Sequence, residues 1–188
     1  MPPNVYVKYM AARGDPSGPP GAAAFDAFVR EFEDMVYAVA VRLLANEADA
    51  EDVAQTVFLR AYERFGDLQG QPAAPGWLKT VTTNLCLNHL ERYRARWRFF
   101  SELGEVGDPP FDVASTASGP DAALDVAERQ ARLELALREL PPHQRVPIVL
   151  FHFEHQGYDD IARLLGVSVG KVKTDMHRGR LALRRWLS

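Results

Sequence analysis

The most specific local pattern in the chain runs from Tyr158 to Thr174 as Tyr-Asp-Asp-Ile-Ala-Arg-Leu-Leu-Gly-Val-Ser-Val-Gly-Lys-Val-Lys-Thr. It reads as a helix-turn-helix, because each residue type meets a geometric demand. Ala162 is small enough to let a second helix cross closely over the first, and Gly166 stands where the turn needs positive φ. Ser168 can cap the second helix, and Val172 and Met176 return to the core. With Val172, Met176, Leu183 and Leu187 facing inward, the opposite side presents Lys171, Thr174, His177 and Arg178, flanked by Lys173, Arg180, Arg184 and Arg185. The chemistry of such a face is recognition without bond making: side chains near the helix start reach base edges, and the later cations meet phosphates. A plain helical hairpin with a solvated basic face competes with this reading, but turn, cap, core and charge agree on the first.

A second basic tract, His89-Leu90-Glu91-Arg92-Tyr93-Arg94-Ala95-Arg96-Trp97-Arg98, mixes arginines with aromatic rings. Cations and stacking faces together suit single-stranded or distorted nucleic acid. Upstream, Asn84 and Asn88 lie one helical turn apart, so both amides project from one side and can read base edges. On these residues alone an alternative stays open, in which the arginines solvate a helix end and the asparagines fill polar sites. The acidic group Glu47, Asp49, Glu51 and Asp52 lacks the glycine and ligand alternation of a calcium loop and is read as helix-start electrostatics. No Cys/His cluster has zinc-ligand spacing, His152 and His155 form the one close histidine pair, and no nucleophile has a supporting motif, so neither metal, cofactor nor catalytic residue is expected. Cys86 is read as a small buried apolar residue.

These groups must be positioned by helices. From Phe25 to Leu44 the apolar residues Phe25, Phe28, Val29, Phe32, Val36, Val39, Ala40 and Leu43 step by three and four, the helical interval. Asn46 to Asp49 opens a second helix, whose stripe is Val53, Ala54, Val57, Phe58, Ala61 and Phe65, with Gly66 as its stop. A Gly/Pro-rich loop from Gly66 to Gly76 leads to a third helix from Trp77 to about Phe100. Helical periodicity returns near Asp121 through Leu124, Leu133, Leu137 and Leu140 until Pro141-Pro142, followed by two or three short helices. The fold class is therefore all-α: a disordered tail over residues 1–22, a helical domain over 23–100, a linker over 101–122 and a second helical domain over 123–188.

Composition bounds what this architecture can do. The 188 residues are 47% hydrophobic and carry 22 basic against 25 acidic side chains, a net charge of −3, so nucleic-acid binding must come from segregated charge. The segregation is visible in the linker, which holds no basic residue between Ser101 and Glu128 and reads as acidic and flexible. A single cysteine and the absence of a long apolar run point to a reducing compartment, no membrane insertion and a cytoplasmic protein.

Taken together, the order of parts resembles the extracytoplasmic-function sigma factors, the minimal two-domain members of the bacterial sigma-70 family. Leu44-Ala45-Asn46-Glu47-Ala48-Asp49-Ala50-Glu51-Asp52-Val53-Ala54-Gln55 with Val57-Phe58-Leu59-Arg60-Ala61-Tyr62 is similar to region 2.2 of that family. Trp77-Leu78-Lys79 and the stretch from Asn84-Leu85 to His89-Leu90 are similar to regions 2.3 and 2.4. Ala136 to Arg145 opens what looks like region 4, which the helix-turn-helix completes at Val172-Lys173-Thr174-Asp175-Met176-His177-Arg178-Gly179-Arg180.

The resemblance implies a promoter-specificity subunit of core RNA polymerase, monomeric when free, with no catalysis of its own. It implies that Asp52 and Gln55, with Glu51 and Phe58 nearby, meet the clamp helices of the β′ subunit. It implies that Trp77, Lys79, Asn84, Asn88, Arg92, Arg94 and the loop before Trp77 hold the unpaired minus-ten strand. Ser168, Lys171, Lys173, Thr174, His177 and Arg178 would face the minus-thirty-five element, region 4 would also rest on the β flap, and an anti-sigma factor would sequester the protein. Five positions depart from the pattern. Thr56 stands in place of a common glutamate, and Thr82-Thr83 replace a small-then-basic pair. Asp175 occupies a usually basic site and is expected to turn toward Arg178 or Lys171. Pro147 falls inside a helix and is expected to kink it unless it lies in the first turn.

Two other classes fit parts of the chain. A dimeric helix-turn-helix regulator with a sensing or dimerising N-terminal domain explains residues 158–180 but gives the Asp52/Gln55 motif and the cation-free linker no purpose. A small helical enzyme using the acidic patch with a metal would lose activity or melting temperature with chelator.

Overall fold

The computed structural model describes residues 22–90 and 122–187. Those stretches belong to two compact units divided at Leu90 and Glu91, and among the described residues every regular element is a helix. Most of the expected tail and linker, together with Arg92, Arg94 and the rest of the tract to Arg98, lies outside them.

The first unit contains α1 (Ala22–Leu44), α2 (Glu47–Glu63), the short α3 (Phe65–Leu68) and α4 (Ala74–His89). The stripe on α1 is buried as its spacing requires, with Phe25, Val29, Val36, Ala40 and Leu43 all at 2% exposure or less, and it packs on α2 and α4. An aromatic cluster closes one end of the bundle. The Phe25 ring meets Tyr62 at 5.0 Å and Phe65 at 5.1 Å, both edge-on, and Phe28 meets Phe32 at 4.9 Å. Edge-to-face pairs at such separations add about 0.5–1.5 kcal/mol each beyond area burial.

Three boundaries differ from expectation, the first being that α4, expected to run to about Phe100, ends at His89 with Leu90 as its C-cap. Gly66 does not stop α2: Arg64 is the C-cap, its N–H reaching Ala61 O, and Gly66 lies inside α3. The positive φ of this stretch falls at Gly70, +70°, where the chain reverses. Helix α4 starts at Ala74 rather than Trp77, because Pro75 occupies one of its first two positions, where the missing N–H has no intrahelical partner to lose.

The second unit contains α5 (Ala122–Glu139), α6 (Pro142–His152), α7 (Tyr158–Leu165) and α8 (Val169–Leu187). Helix α8, 19 residues long where short helices were expected, packs on α5, α6 and α7. Its core side is Val172, Met176 and Leu183. Leu187, assigned to that side from spacing, is 44% exposed, as the neighbouring Trp186 is at 63%, so the last turn of α8 is not covered by the described elements. Pro147 lies beyond the first turn of α6, fully inside the helix and buried, yet α6 runs on through it to His152. Its ring sits in the core of the unit, where burial offsets the missing bond.

Arg145 on α6 is only 4% exposed. Its Nη1 donates to Leu140 O at 2.6 Å and to Arg138 O at 3.4 Å, so a buried guanidinium satisfies carbonyls at the end of α5 and fixes the α5–α6 corner.

Candidate nucleic-acid and polymerase interfaces

In the first unit, α4 divides cleanly. Leu78, Thr82, Thr83, Cys86 and Leu87 are buried, while Asn84 and Asn88 are both exposed one turn apart. The two threonines that depart from the family pattern thus serve the interior, and Thr82 Oγ1 donates to Leu78 O at 2.7 Å. Trp77 is half-buried, with the Arg64 guanidinium 5.9 Å over its ring, and Lys79 is half-buried as well. The loop ahead of them, residues 69–73, is exposed throughout. At the far end of α4, His89 Nε2 lies 3.3 Å from Asp49 Oδ2, next to the cap in which Asn46 Oδ1 accepts the Asp49 N–H at 3.1 Å. Asp49 therefore works at a helix start and a helix junction, as its helix-start reading requires.

The expected polymerase surface lies on α2. Asp52 is exposed and Gln55 and Glu51 are half-buried, but Phe58 is 3% exposed. Phe58 faces the core and offers no contact surface; it supports α2 from beneath. Thr56 Oγ1 is turned back onto Asp52 O at 2.9 Å. Leu59, 39% exposed, was missed. It continues the Asp52–Gln55 row by one turn, and an apolar residue off the core stripe was its available signal.

In the second unit the turn has the predicted geometry. Gly166 ends α7 at φ +68°, ψ 37°, and Ser168 Oγ accepts the Lys171 N–H at 3.2 Å. Beyond the cap, Lys173 and Arg178 are exposed and Thr174 and His177 half-exposed. Thr174 Oγ1 donates to Gly170 O at 3.0 Å. Lys173 and Arg180 are held along an aromatic row: Lys173 Nζ is 5.8 Å from the Tyr158 ring, Tyr158 stacks on Phe151 at 4.9 Å, and Arg180 lies 5.8 Å over Phe151.

Lys171 departs from expectation. Its Nζ donates to Asp175 Oδ1, and the two side chains are only 12% and 7% exposed. Of the two partners foreseen for Asp175, the acid takes Lys171. Lys171 is thus withdrawn from the outward face. Burial raises the Asp175 carboxyl above its ordinary range, opposed by the hydrogen bond from Lys171. Gly179 was also missed. A Cβ there would stand 2.5 Å from Ile148 Cδ1 and 3.2 Å from Gln144 Cβ, so only glycine lets α8 approach α6 this closely. A glycine in mid-helix, which costs about 1 kcal/mol relative to alanine, was the readable signal.

Among the described residues no cluster of three or more His, Cys, Asp or Glu side chains could hold a metal, and no helix is long and apolar enough to cross a membrane.

Residues 28–97 match the family model described as sigma-70 region 2, and residues 130–183 the model described as sigma-70, region 4. ECF RNA polymerase sigma factor SigW of Bacillus subtilis is 30% identical over 166 residues, covering 87% of this chain and 89% of that protein. This chain belongs to the extracytoplasmic-function sigma factors. ECF RNA polymerase sigma factor SigE of Mycolicibacterium smegmatis is 36% identical over 177 residues, 94% of this sigma factor and 65% of the length of that relative. The solved complex of the sigma factor RpoE with the anti-sigma factor NepR from Bartonella quintana aligns with a TM-score of 0.48 at 21% identity, over 87% of this chain and 96% of that one. An alternative sigma factor is accordingly the function class. The dimeric regulator is not favoured, because residues 28–97, which it would use for sensing or dimerisation, match a sigma region.

Proposed function

We propose that this sigma factor binds core RNA polymerase through α2 and reads a promoter with two separate faces. Asp52, Gln55, Glu51 and Leu59 meet the β′ clamp helices, a polar row with one apolar anchor. Asn84 and Asn88 on α4, with Trp77, Lys79 and the exposed loop before them, hold the unpaired minus-ten strand, and Arg92 and Arg94 add phosphate contacts beyond α4. Extruding a base costs a few kcal/mol, which stacking and amide hydrogen bonds must offset. On α8, Lys173, Thr174, His177 and Arg178, introduced by the Ser168 cap, enter the major groove at the minus-thirty-five element. Region 4 also rests on the β flap, and an anti-sigma factor occludes these surfaces when transcription is not required. The chain works in the cytoplasm and makes or breaks no covalent bond.

The observation that carries the reading is the pair of exposed asparagines one turn apart on α4, backed by a buried face that leaves them no structural task. The test is reconstitution with sigma-free core polymerase on genomic promoter fragments, with transcription starts mapped. New starts sharing two spaced elements, lost with Asn84→Ala, support it. Unchanged starts, with palindromic duplex binding by the free protein as a dimer, would return the chain to the regulator class.

A further inference from the structure

We infer that Asp175 is a positioning and specificity-setting residue of the recognition helix, one that holds Lys171 off the DNA so that α8 meets phosphate with fewer cations than its sequence carries. This rests on the proposed placement of α8 at promoter DNA. Lys171 and Asp175 sit on one side of α8 at i and i+4, and Gly179 continues the same row against Gln144 and Ile148 of α6. That row faces the neighbouring helix. The opposite side of α8 carries Lys173 to solvent, and Arg178, beside the Lys171–Asp175 row, is exposed as well. Around the Asp175 carboxyl stand Lys171 and Arg178 from its own helix and His143 from α6, and burial has taken its side chain to 7% exposure.

An acid at this depth is costly unless paired, and the ammonium of Lys171 is the partner that pairs it. The consequence is directional. Lys171 lies in the first turn of α8, where a free ammonium would reach any phosphate regardless of sequence. Pairing it with Asp175 removes a sequence-independent contact while leaving the exposed reading side chains in place. Discrimination rises because the non-specific component falls.

The experiment measures binding of the full chain to a mixed-sequence duplex of about 30 base pairs by fluorescence anisotropy, from about 50 to 200 mM salt. Freeing one lysine should steepen the slope of log K against log salt by about 0.9. We expect that steepening for Asp175→Asn, together with tighter binding at low salt, and its reversal when Lys171→Met is added. The volume-conserving pair Lys171→Met with Asp175→Leu should leave the parent slope unchanged, and circular dichroism melts confirm that each variant is folded. If the Met/Leu pair flattens the slope by about 0.9, Lys171 contacts phosphate in the native chain and the inference is wrong. An unchanged slope for folded Asp175→Asn overturns it equally. Lys173→Ala separates the two layers. Its slope should flatten by a similar amount, and if it does not, the placement of α8 on DNA fails and the inference with it. A flattened Lys173→Ala slope beside an unmoved Asp175→Asn slope sinks the inference alone.

Discussion

Single atoms decide two properties of this sigma factor. At Gly179 a methyl group would need to occupy space held by Ile148 Cδ1, at 2.5 Å, and by Gln144, at 3.2 Å from Cβ and 3.4 Å from the carbonyl oxygen. The Ile148 end can rotate, but Gln144 is anchored in the first turn of α6. Gly179→Ala therefore gains helix propensity of about 1 kcal/mol and loses more to overpacking, about 1–3 kcal/mol, with a small net destabilisation expected. Urea melts of the two proteins check the sign; a stabilised alanine variant would show that α8 and α6 do not meet as described. At Cys86 the side chain is fully buried, and burial pushes its thiol up to about 12. Reactivity follows the thiolate, so iodoacetamide at pH 8 should leave the native protein unlabelled and modify it only once denaturant has opened the first unit. Burial of Cys86 was legible from its being a lone cysteine with neither a disulfide partner nor zinc-ligand spacing around it. The Lys171–Asp175 pair was legible only as one of two options, because choosing between Lys171 and Arg178 needed the position of α6.

At the scale of elements, helices announce themselves by periodicity, and their ends by local chemistry that is easier to misplace. The apolar spacing on α1 and the Gly166–Ser168 turn were both readable, since each depends on residues within a turn of one another. The end of α2 was not. Gly66 looked like a stop, yet the left-handed residue is Gly70, because a short extra helix bearing Phe65 is pulled in to meet Phe25 and Phe28, partners some forty residues away in sequence. Leu187 failed for the opposite reason, being periodic with the core yet covered by none of the described elements. Helix α6 carries its own prediction. Burial lowers His143, opposed by the Asp175 carboxylate, and lowers His152, assisted by the Arg180 guanidinium. A histidine lowered in the folded state is more protonated in the unfolded state through the window just below its ordinary value of about 6.5. Stability of the second unit should therefore be full above that value and fall as pH drops through it. The raised Asp175 works the other way, since the folded state holds its proton more readily than the unfolded chain does. Thermal melts between pH 7.5 and 5.5 should show the loss, and His152→Gln should reduce it; a flat profile would mean that neither ring is held neutral by the fold.

For the whole molecule, the decisive feature is that each unit has its own buried core, so its functional faces are carried on separately stabilised scaffolds. The first core is built from α1, α2 and α4, the second from α5 to α8. Sites with no shared partners combine additively, so the proposed polymerase and DNA faces should have separable phenotypes. Asp52→Ala with Gln55→Ala removes side chains from the α2 surface without touching the interior, where Phe58 stays packed at 3% exposure. Core-polymerase affinity should fall roughly tenfold or more, since truncating a central polar contact costs about 1.4 kcal/mol or above. The salt-dependent binding of the free chain to duplex DNA should not change, because that signal arises on α8. Arg178→Ala should do the reverse, flattening the salt slope by about 0.9 while core affinity holds. The quadruple comparison, wild type, α2 variant, α8 variant and both, closes a cycle whose coupling should be within about 0.5 kcal/mol of zero for each binding reaction. A larger coupling in core binding would show that polymerase grips both units at once through these residues, making the α8 face part of the polymerase interface as well as the DNA one.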